Sequence, residues 1–438
     1  MSSIQSQSEW WCAIAVGIVL LGGTVCLEKG VDSATTVDRY AEQYAQIVAN
    51  LGQRDPDSLD YSYGARSISS SKASDLPTLG SLNVEAAELS RAVKQHGQGG
   101  HESARDIYLL NQLRAVVART EQLMGRSMTF DQETEREFGV LTPVTYDRDE
   151  ASRIQRQLQM LLPGTGSLAE RYEAFDREFL IPTALVPVVM AKAVQECRMV
   201  TVQHVSLPAG EAVTIEYVRN RPWSAFSRYE GDYRSVIEVN MDFALTVDRA
   251  LNVACHEAYP GHHTYNSVRE QQLVHNKGMA EYRVQPTYSP QSMMSESMAT
   301  EAIEVAFPSV ERLRVERDVL FPIAGLSGRR AARYVQVEDL VDRLHTVEPL
   351  IARDYLDGRL EFERAREQLE KCALMAHPEA ALKYMNEYRS YVATYTYGRD
   401  LVAAIITSRS LGNPRAQWKV YADMIVDPVS GFAIDKDS

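Results

Sequence analysis

"CHEAYPGHHTYN", residues 255–266, places three of the chain's nine histidines within eight positions, with Glu257 directly after the first. It opens like the zinc-peptidase motif H-E-x-x-H and then departs from it, because Pro260 stands where the second histidine belongs. In the usual motif, histidines at i and i+4 differ by about 40° around the helix and about 6 Å along it, so both imidazoles reach one ion. Here the candidates are His262 at i+6 and His263 at i+7. On an ideal helix His263 shares the face of His256 but lies about 10.5 Å further along, and His262 points about 120° away. With Zn–N bonds of about 2.0–2.1 Å, neither placement closes a compact site on a regular helix.

The residues in between answer the difficulty. "FALTVDRALNVACHEAYPGHH" reads as a helix over 246–259, which Pro260 then interrupts: it has no N–H to donate and clashes with the carbonyl four residues back, at His256. Gly261 permits unusual dihedrals straight afterwards. A break at Tyr259-Pro260-Gly261 can swing a later histidine back towards His256. The same residues also fit a helix that stops at Pro-Gly and leaves two histidines in solvent. A catalytic zinc needs a third protein ligand and an open position. "MMSESMATEAIEVAFP" offers Glu296, Glu301 and Glu304 on a helical segment, and Glu296 follows His262 by 34 residues, room for a loop and a returning helix. Each of these glutamates also fits a solvated helix face. Glu257 is then placed as a general base, not a ligand.

Around this cluster the chain is ordinary. Its 438 residues can bury a sizeable core, and 45% hydrophobic with 24% charged residues is a globular composition. A formal net charge of −13 without a lysine/arginine block disfavours a nucleic-acid partner. Five scattered cysteines (Cys12, Cys26, Cys197, Cys255, Cys372) include no C-x-x-C pair, so zinc here must be held by nitrogen and oxygen. At the N-terminus, "WWCAIAVGIVLLGGTVCL" (Trp10 to Leu27) is 18 uncharged residues, just long enough to cross a bilayer. It lacks a preceding Lys or Arg and a clean cleavage site, and reads as an export signal or uncleaved anchor. The expected location is therefore exported, periplasmic or membrane-anchored, with N-terminal membrane association; the alternative is a buried N-terminal helix of a cytoplasmic protein.

Val37, Tyr40, Ala41, Tyr44, Ile47, Val48 and Leu51 mark an amphipathic helix, ended by "DPDSLDYSYG". A second helix shows Leu110, Leu113, Val117 and Met124. "KQHGQGGHES" reads as loop, making His96 and His101 surface residues. Between 200 and 242 the period changes to two: "VQHVSLPAGEAVTIEYV" reads as two strands joined by a Pro-Ala-Gly turn, and "YRSVIEVNMD" as a third. Helical spacing then returns, with Phe362 to Ala376 outlining one long helix. The fold class is mainly α with a small β-sheet. The organisation reads as an N-terminal apolar segment (1–33), a helical N-terminal lobe (34–160) and a catalytic region (161–438), the last holding the small sheet (200–242), metal helices (245–305) and C-terminal helices.

These residues carry a family resemblance. H-E-x-x-P-G-H-H followed by a Ser-Glu-Gly-Trp-Ala-like segment is similar to the bacterial domain-of-unknown-function 885 family, regarded as zinc metallopeptidases of the glutamate-ligand type. The likeness includes "DPDSLDYSYG", "HVSLPAGEAVTIEYV", "RPWSAFSRYEGDYRSVIEVN", "SESMATE" and "YRSYVATYTYGRDLV". The resemblance implies a zincin-like architecture with a cleft between helical lobes and one Zn2+ per chain. It makes His256 a ligand, Glu257 the base and Glu296 the glutamate ligand, and favours His262 as second ligand, with His263 as the alternative or as a substrate-binding group. Ser297-Met298 depart from the family's Gly-Trp. Tyr395, in a recurrent Tyr-x-x-Gly, is a candidate oxyanion donor or a packed aromatic, and Tyr229 and Arg234 are candidate substrate-binding groups. The implied substrate is a peptide, or alternatively a small amide or other biosynthetic substrate. The reading from a different class is a non-catalytic membrane-anchored binding protein. Oligomeric state is not legible.

Overall fold

The computed structural model describes residues 24–64, 76–98, 102–141 and 147–427. The expected signal or anchor lies outside them except for Thr24–Leu27, which open a helix running to Arg54. His101 also lies outside. No helix among the described residues is long and apolar enough to cross a membrane. The chain is mainly helical with two small sheets.

The amphipathic pattern of residues 37–51 buries Val37, Tyr44, Val48 and Leu51 against Leu82, Leu89 and Val93 of the helix Leu79–Gly97 and Leu109, Leu113 and Val116 of the helix Ala104–Leu123. The last of these starts in a capping box, Ser103 with Asp106, which satisfies donors the first helical turn leaves free. Asp106 also holds His96, at 3.1 Å. His96 is therefore a half-buried helical residue, not the surface loop residue expected, because a partner carboxylate waits on the neighbouring helix. Met124, expected on the buried face, is exposed beyond that helix's end.

A larger core gathers Val189, Ala193 and Cys197 of the helix Val186–Thr201, Ala250, Leu251 and Ala254 of the helix Val247–Glu257, and Met298, Ala302 and Ile303 of the helix Pro290–Ala306. The helix Arg148–Leu161, placed by sequence with the N-terminal lobe, packs Ala151, Ile154 and Leu158 into this core instead. A third cluster joins Phe130 to Ile351, Ala365, Leu369, Leu382 and Ala393. The long helix expected over 362–376 ends at Cys372, and a new one runs Pro378–Tyr388.

Strands β1 (Leu59–Ser62), β2 (Ala212–Val218), β3 (Ala225–Gly231), β4 (Arg234–Asn240) and β5 (Val284–Pro286) form the sheets. In the larger one β4 is central: β2 pairs with it in parallel, Ile215 beside Ile237, and β3 antiparallel, Ser227 opposite Ile237. Two sequence expectations change here. "VQHVSL" is not a strand, because the preceding helix runs on to Thr201, and the missing partner is "AFSRYEG". It returns on β4 through Asp232 and Tyr233, both at positive φ, the hairpin geometry that suits the strand twist. "DPDSLDYSYG" does end a helix, but its Leu59–Ser62 forms β1, antiparallel to β5. That long-range pairing sets Asp60 against Gln285, whose side-chain amide donates to it at 2.5 Å.

Candidate metal centre

The helix Val247–Glu257 starts at Thr246, whose hydroxyl accepts from the Arg249 amide, and ends two residues earlier than its pattern suggests. Ala258 leaves helical geometry (φ −111, ψ −85), Pro260 follows, and the next helix begins at His262. Within the break the Gly261 amide donates to the Cys255 carbonyl at 2.9 Å. A Cβ on Gly261 would lie 1.8 Å from the His256 carbonyl oxygen and 2.5 Å from that of Cys255. Glycine is required by this approach of one backbone to another; its φ of −68 is ordinary. The Tyr421 hydroxyl, on the helix Pro414–Val426, lies 3.2 Å from the Pro260 carbonyl and 3.0 Å from that of Met298, tying the break to the glutamate helix.

The fold-back brings the His256 and His262 rings to 4.8 Å between centroids at 81°. Donor atoms of His256, Glu257 and His262 all lie within 4.8 Å of one another. Glu296, 4% exposed on the returning helix, reaches the same point: Oε1 is 2.9 Å from His256 Nε2 and Oε2 3.4 Å from His262 Nε2. Oε1 of Glu296 is buried and makes no hydrogen bond of acceptable geometry despite that proximity. Ligand atoms around a tetrahedral ion with bonds of about 2.0–2.1 Å sit about 3.3 Å apart, and spacings of 2.9 and 3.4 Å suit that arrangement as well as they suit direct His–Glu contacts. Glu301 and Glu304, the other candidates on that helix, are turned to arginines, Arg399 at 3.2 Å and Arg312 at 3.5 Å.

The charged groups of the cluster shift one another strongly. Burial opposes charge on His262, but Glu296, Glu257 and Asp60 outweigh it and raise the imidazole to about 9. Burial also opposes ionisation of Glu296, yet His256 and His262 hold its carboxyl well below the usual range. Asp60 is pushed up to about 6, first by burial and further by Glu296 and Glu257, against His262 and a hydrogen bond from Gln285. A group whose charged form is favoured by three neighbouring carboxylates marks a strongly negative locus.

His263 goes elsewhere. It is fully buried, with Nδ1 2.8 Å from Ser235 Oγ and Nε2 2.9 Å from Glu211 Oε2, so both ring nitrogens are engaged away from the cluster. Burial alone would push the Glu211 carboxyl up; hydrogen bonds from His263, Tyr259 and Arg198 outweigh it and bring it from 4.5 to about 2. A folded pKa below the unfolded one stabilises the fold above the unfolded value, and that stability is lost as pH falls through the folded one. The stability difference between the wild type and Glu211→Gln is therefore expected to be largest above pH 4.5 and to close towards about pH 2. Urea titrations across that range check it, and a constant difference contradicts it.

Tyr229 is buried and donates to Glu270, so its phenol is committed within the fold and not offered to a substrate. Arg234 is exposed at the start of β4. Neither reaches His256, Glu257, His262 or Glu296 among the described hydrogen bonds and ion pairs. Tyr395 does adjoin the cluster: its ring is 6.4 Å from that of His256 at 24°, and its hydroxyl is 2.9 Å from that of Tyr384. Two neighbours escaped the sequence reading. Tyr391 donates to Glu296 Oε2 at 3.0 Å, one helical turn before Tyr395, and that spacing was the available signal. Asp60 gave none, since it arrives only through the β1–β5 pairing. Ser297, where the resembled family has glycine, bonds the carbonyls of Met293 at 2.6 Å and Thr394 at 3.2 Å, fixing the tyrosine turn to the glutamate helix. Gly398 makes room for it, because a Cβ there would lie 2.0 Å from Ser297 Oγ. A cavity of about 520 Å3 opens elsewhere, beside Tyr172, Arg366, His377 and Lys383, and shares no residue with the cluster.

No protein-family model and no curated protein matches the chain. Among solved structures, the crystal structure of the "putative lipoprotein from Colwellia psychrerythraea" is similar, with a TM-score of 0.47 and 13% identity over 80% of this chain and 70% of that one.

Proposed function

We propose that the chain is a zinc-dependent hydrolase acting on peptide bonds, related to the family it resembles in sequence. The observation that carries this reading is the convergence of His256, His262 and Glu296, with Glu257 beside them and Glu296 Oε1 buried without a hydrogen bond. His256, His262 and Glu296 are the residues to hold the ion. Two neutral imidazoles and one carboxylate are the donor set of the glutamate-ligand peptidases, and zinc in such a set acts as a Lewis acid and acidifies water.

The protein's own groups do the rest. Glu257, adjoining the ligands yet not needed to complete them, accepts a proton from the attacking water and passes it to the departing amine. Tyr391 orients Glu296 through its hydroxyl, and the Tyr384–Tyr395 pair presents a phenol beside His256 that can donate to a developing oxyanion. The apolar stretch Trp10–Leu27 supports an exported or membrane-anchored location.

Elemental analysis of protein purified without chelator is expected to give one zinc per chain. Removing it with a strong chelator should abolish hydrolysis, and restoring zinc should recover it. Peptides assayed beside small amides set the substrate class, amide turnover alone favouring an amidase. A folded, metal-free chain that takes up no zinc would instead favour a binding protein and sink the hydrolase reading.

A further inference from the structure

The doubled histidine of the motif raises a separate question: what the second one is for. His263 is 0% exposed and follows His262, the first residue of its helix. Its ring bridges β4 and the residue that leads into β2. Ser235 is on β4, and Glu211 immediately precedes β2. An ionised carboxylate can only accept, so Nε2 carries the hydrogen in the bond to Glu211. Glu211 is in turn saturated: Oε1 accepts from Arg198 Nε at 2.9 Å and Nη2 at 2.6 Å, and Oε2 also accepts from the Tyr259 hydroxyl at 2.5 Å. Tyr259 and His263 flank the Pro260-Gly261 break on its two sides, their rings 5.0 Å apart.

We propose that Glu211 and Ser235 clamp both ends of the Tyr259–His263 turn to the sheet through Tyr259 and His263, making His263 a positioning residue that sets where the neighbouring His262 imidazole stands. The turn needs such a clamp because it departs from helical bonding: neither Pro260 nor the crowded His256 carbonyl joins a regular ladder there. A ligand on an unrestrained turn would sample many orientations, and each ordered hydrogen bond narrows them. The resemblance to a hydrolytic Ser-His-Glu relay is one of residue types only, since Ser235 is 2% exposed and has no access to a substrate.

This inference rests on the zinc reading above, and its test separates the two. Zinc affinity is measured by competition with a chromophoric chelator, and coordination by the visible absorption of the cobalt(II)-substituted protein. His263→Ala is expected to keep one metal per chain, weakened about 10–100-fold, with an altered cobalt spectrum. His263→Gln, whose amide can donate to Glu211 and accept from Ser235, is expected to recover most of the affinity. Ser235→Ala probes the same clamp from the sheet side should His263→Ala fail to fold, with a smaller loss in the same direction. Wild-type affinity and spectrum in His263→Ala overturn the clamp while leaving the zinc reading intact. Loss of all metal, as in His256→Ala, makes His263 a ligand and also overturns it. A wild-type chain that binds no zinc overturns both.

Discussion

Glu257→Gln is expected to fold and bind one zinc per chain as the wild type does, and to lose about 10²–10⁴-fold in kcat/KM, the usual contribution of a positioned general base. Glutamine has nearly the shape of glutamate, so the buried end of the helix Val247–Glu257 is preserved, while the amide cannot take up a proton. The ligands proposed here do not include Glu257, which is why metal content separates this variant from Glu296→Gln. The latter removes a carboxylate that lies within 2.9 Å of His256 and 3.4 Å of His262, and both metal and activity should fall together. Steady-state kinetics with zinc quantified on the same samples gives the answer. A Glu257→Gln protein that hydrolyses peptides at the wild-type rate would falsify the assigned role.

The largest effect on the fold is expected at a residue with no side chain. Gly261→Ala places a methyl 1.8 Å from the carbonyl oxygen of His256 and 2.5 Å from that of Cys255, and neither is a flexible group that can turn aside. The two helices must separate at the point where they deliver His256 and His262 to one another. A loss on the order of 4 kcal/mol or more is expected in urea denaturation, at the severe end for a single substitution. Zinc affinity should fall in whatever protein remains folded. Gly80→Ala is the control: its nearest neighbours are 3.9 Å away, in the first turn of the helix Leu79–Gly97, so the change should be neutral or slightly stabilising. Equal stabilities for the two variants would show that the close approach is not needed.

Much of the site was legible because it is local. His256, Glu257 and the break after them occupy one short stretch, and a proline followed by glycine marks by chemistry alone where a helix cannot continue. The helical character of Glu296's segment was equally plain, though Glu301 and Glu304 on the same helix could not be separated from it without knowing that Arg399 and Arg312 face them. Tyr391 stood in a stretch already noted for Tyr395. The strands that were missed share one cause. A strand is read from alternation within its own residues, but "AFSRYEG" is recognised only by its pairing with β4, and β1 only by pairing with β5, more than two hundred residues away.

The sequence by itself therefore determined the helical character of the segments that carry the cluster, and the place where the backbone had to break, because propensity, periodicity and proline's missing N–H act over a few residues. Only the tertiary structure decided which imidazole turns to Glu296 and which to Glu211, and that Asp60 joins them. Those choices depend on hydrogen-bond partners and buried charge brought together from distant parts of the chain, and no window of neighbouring residues contains them.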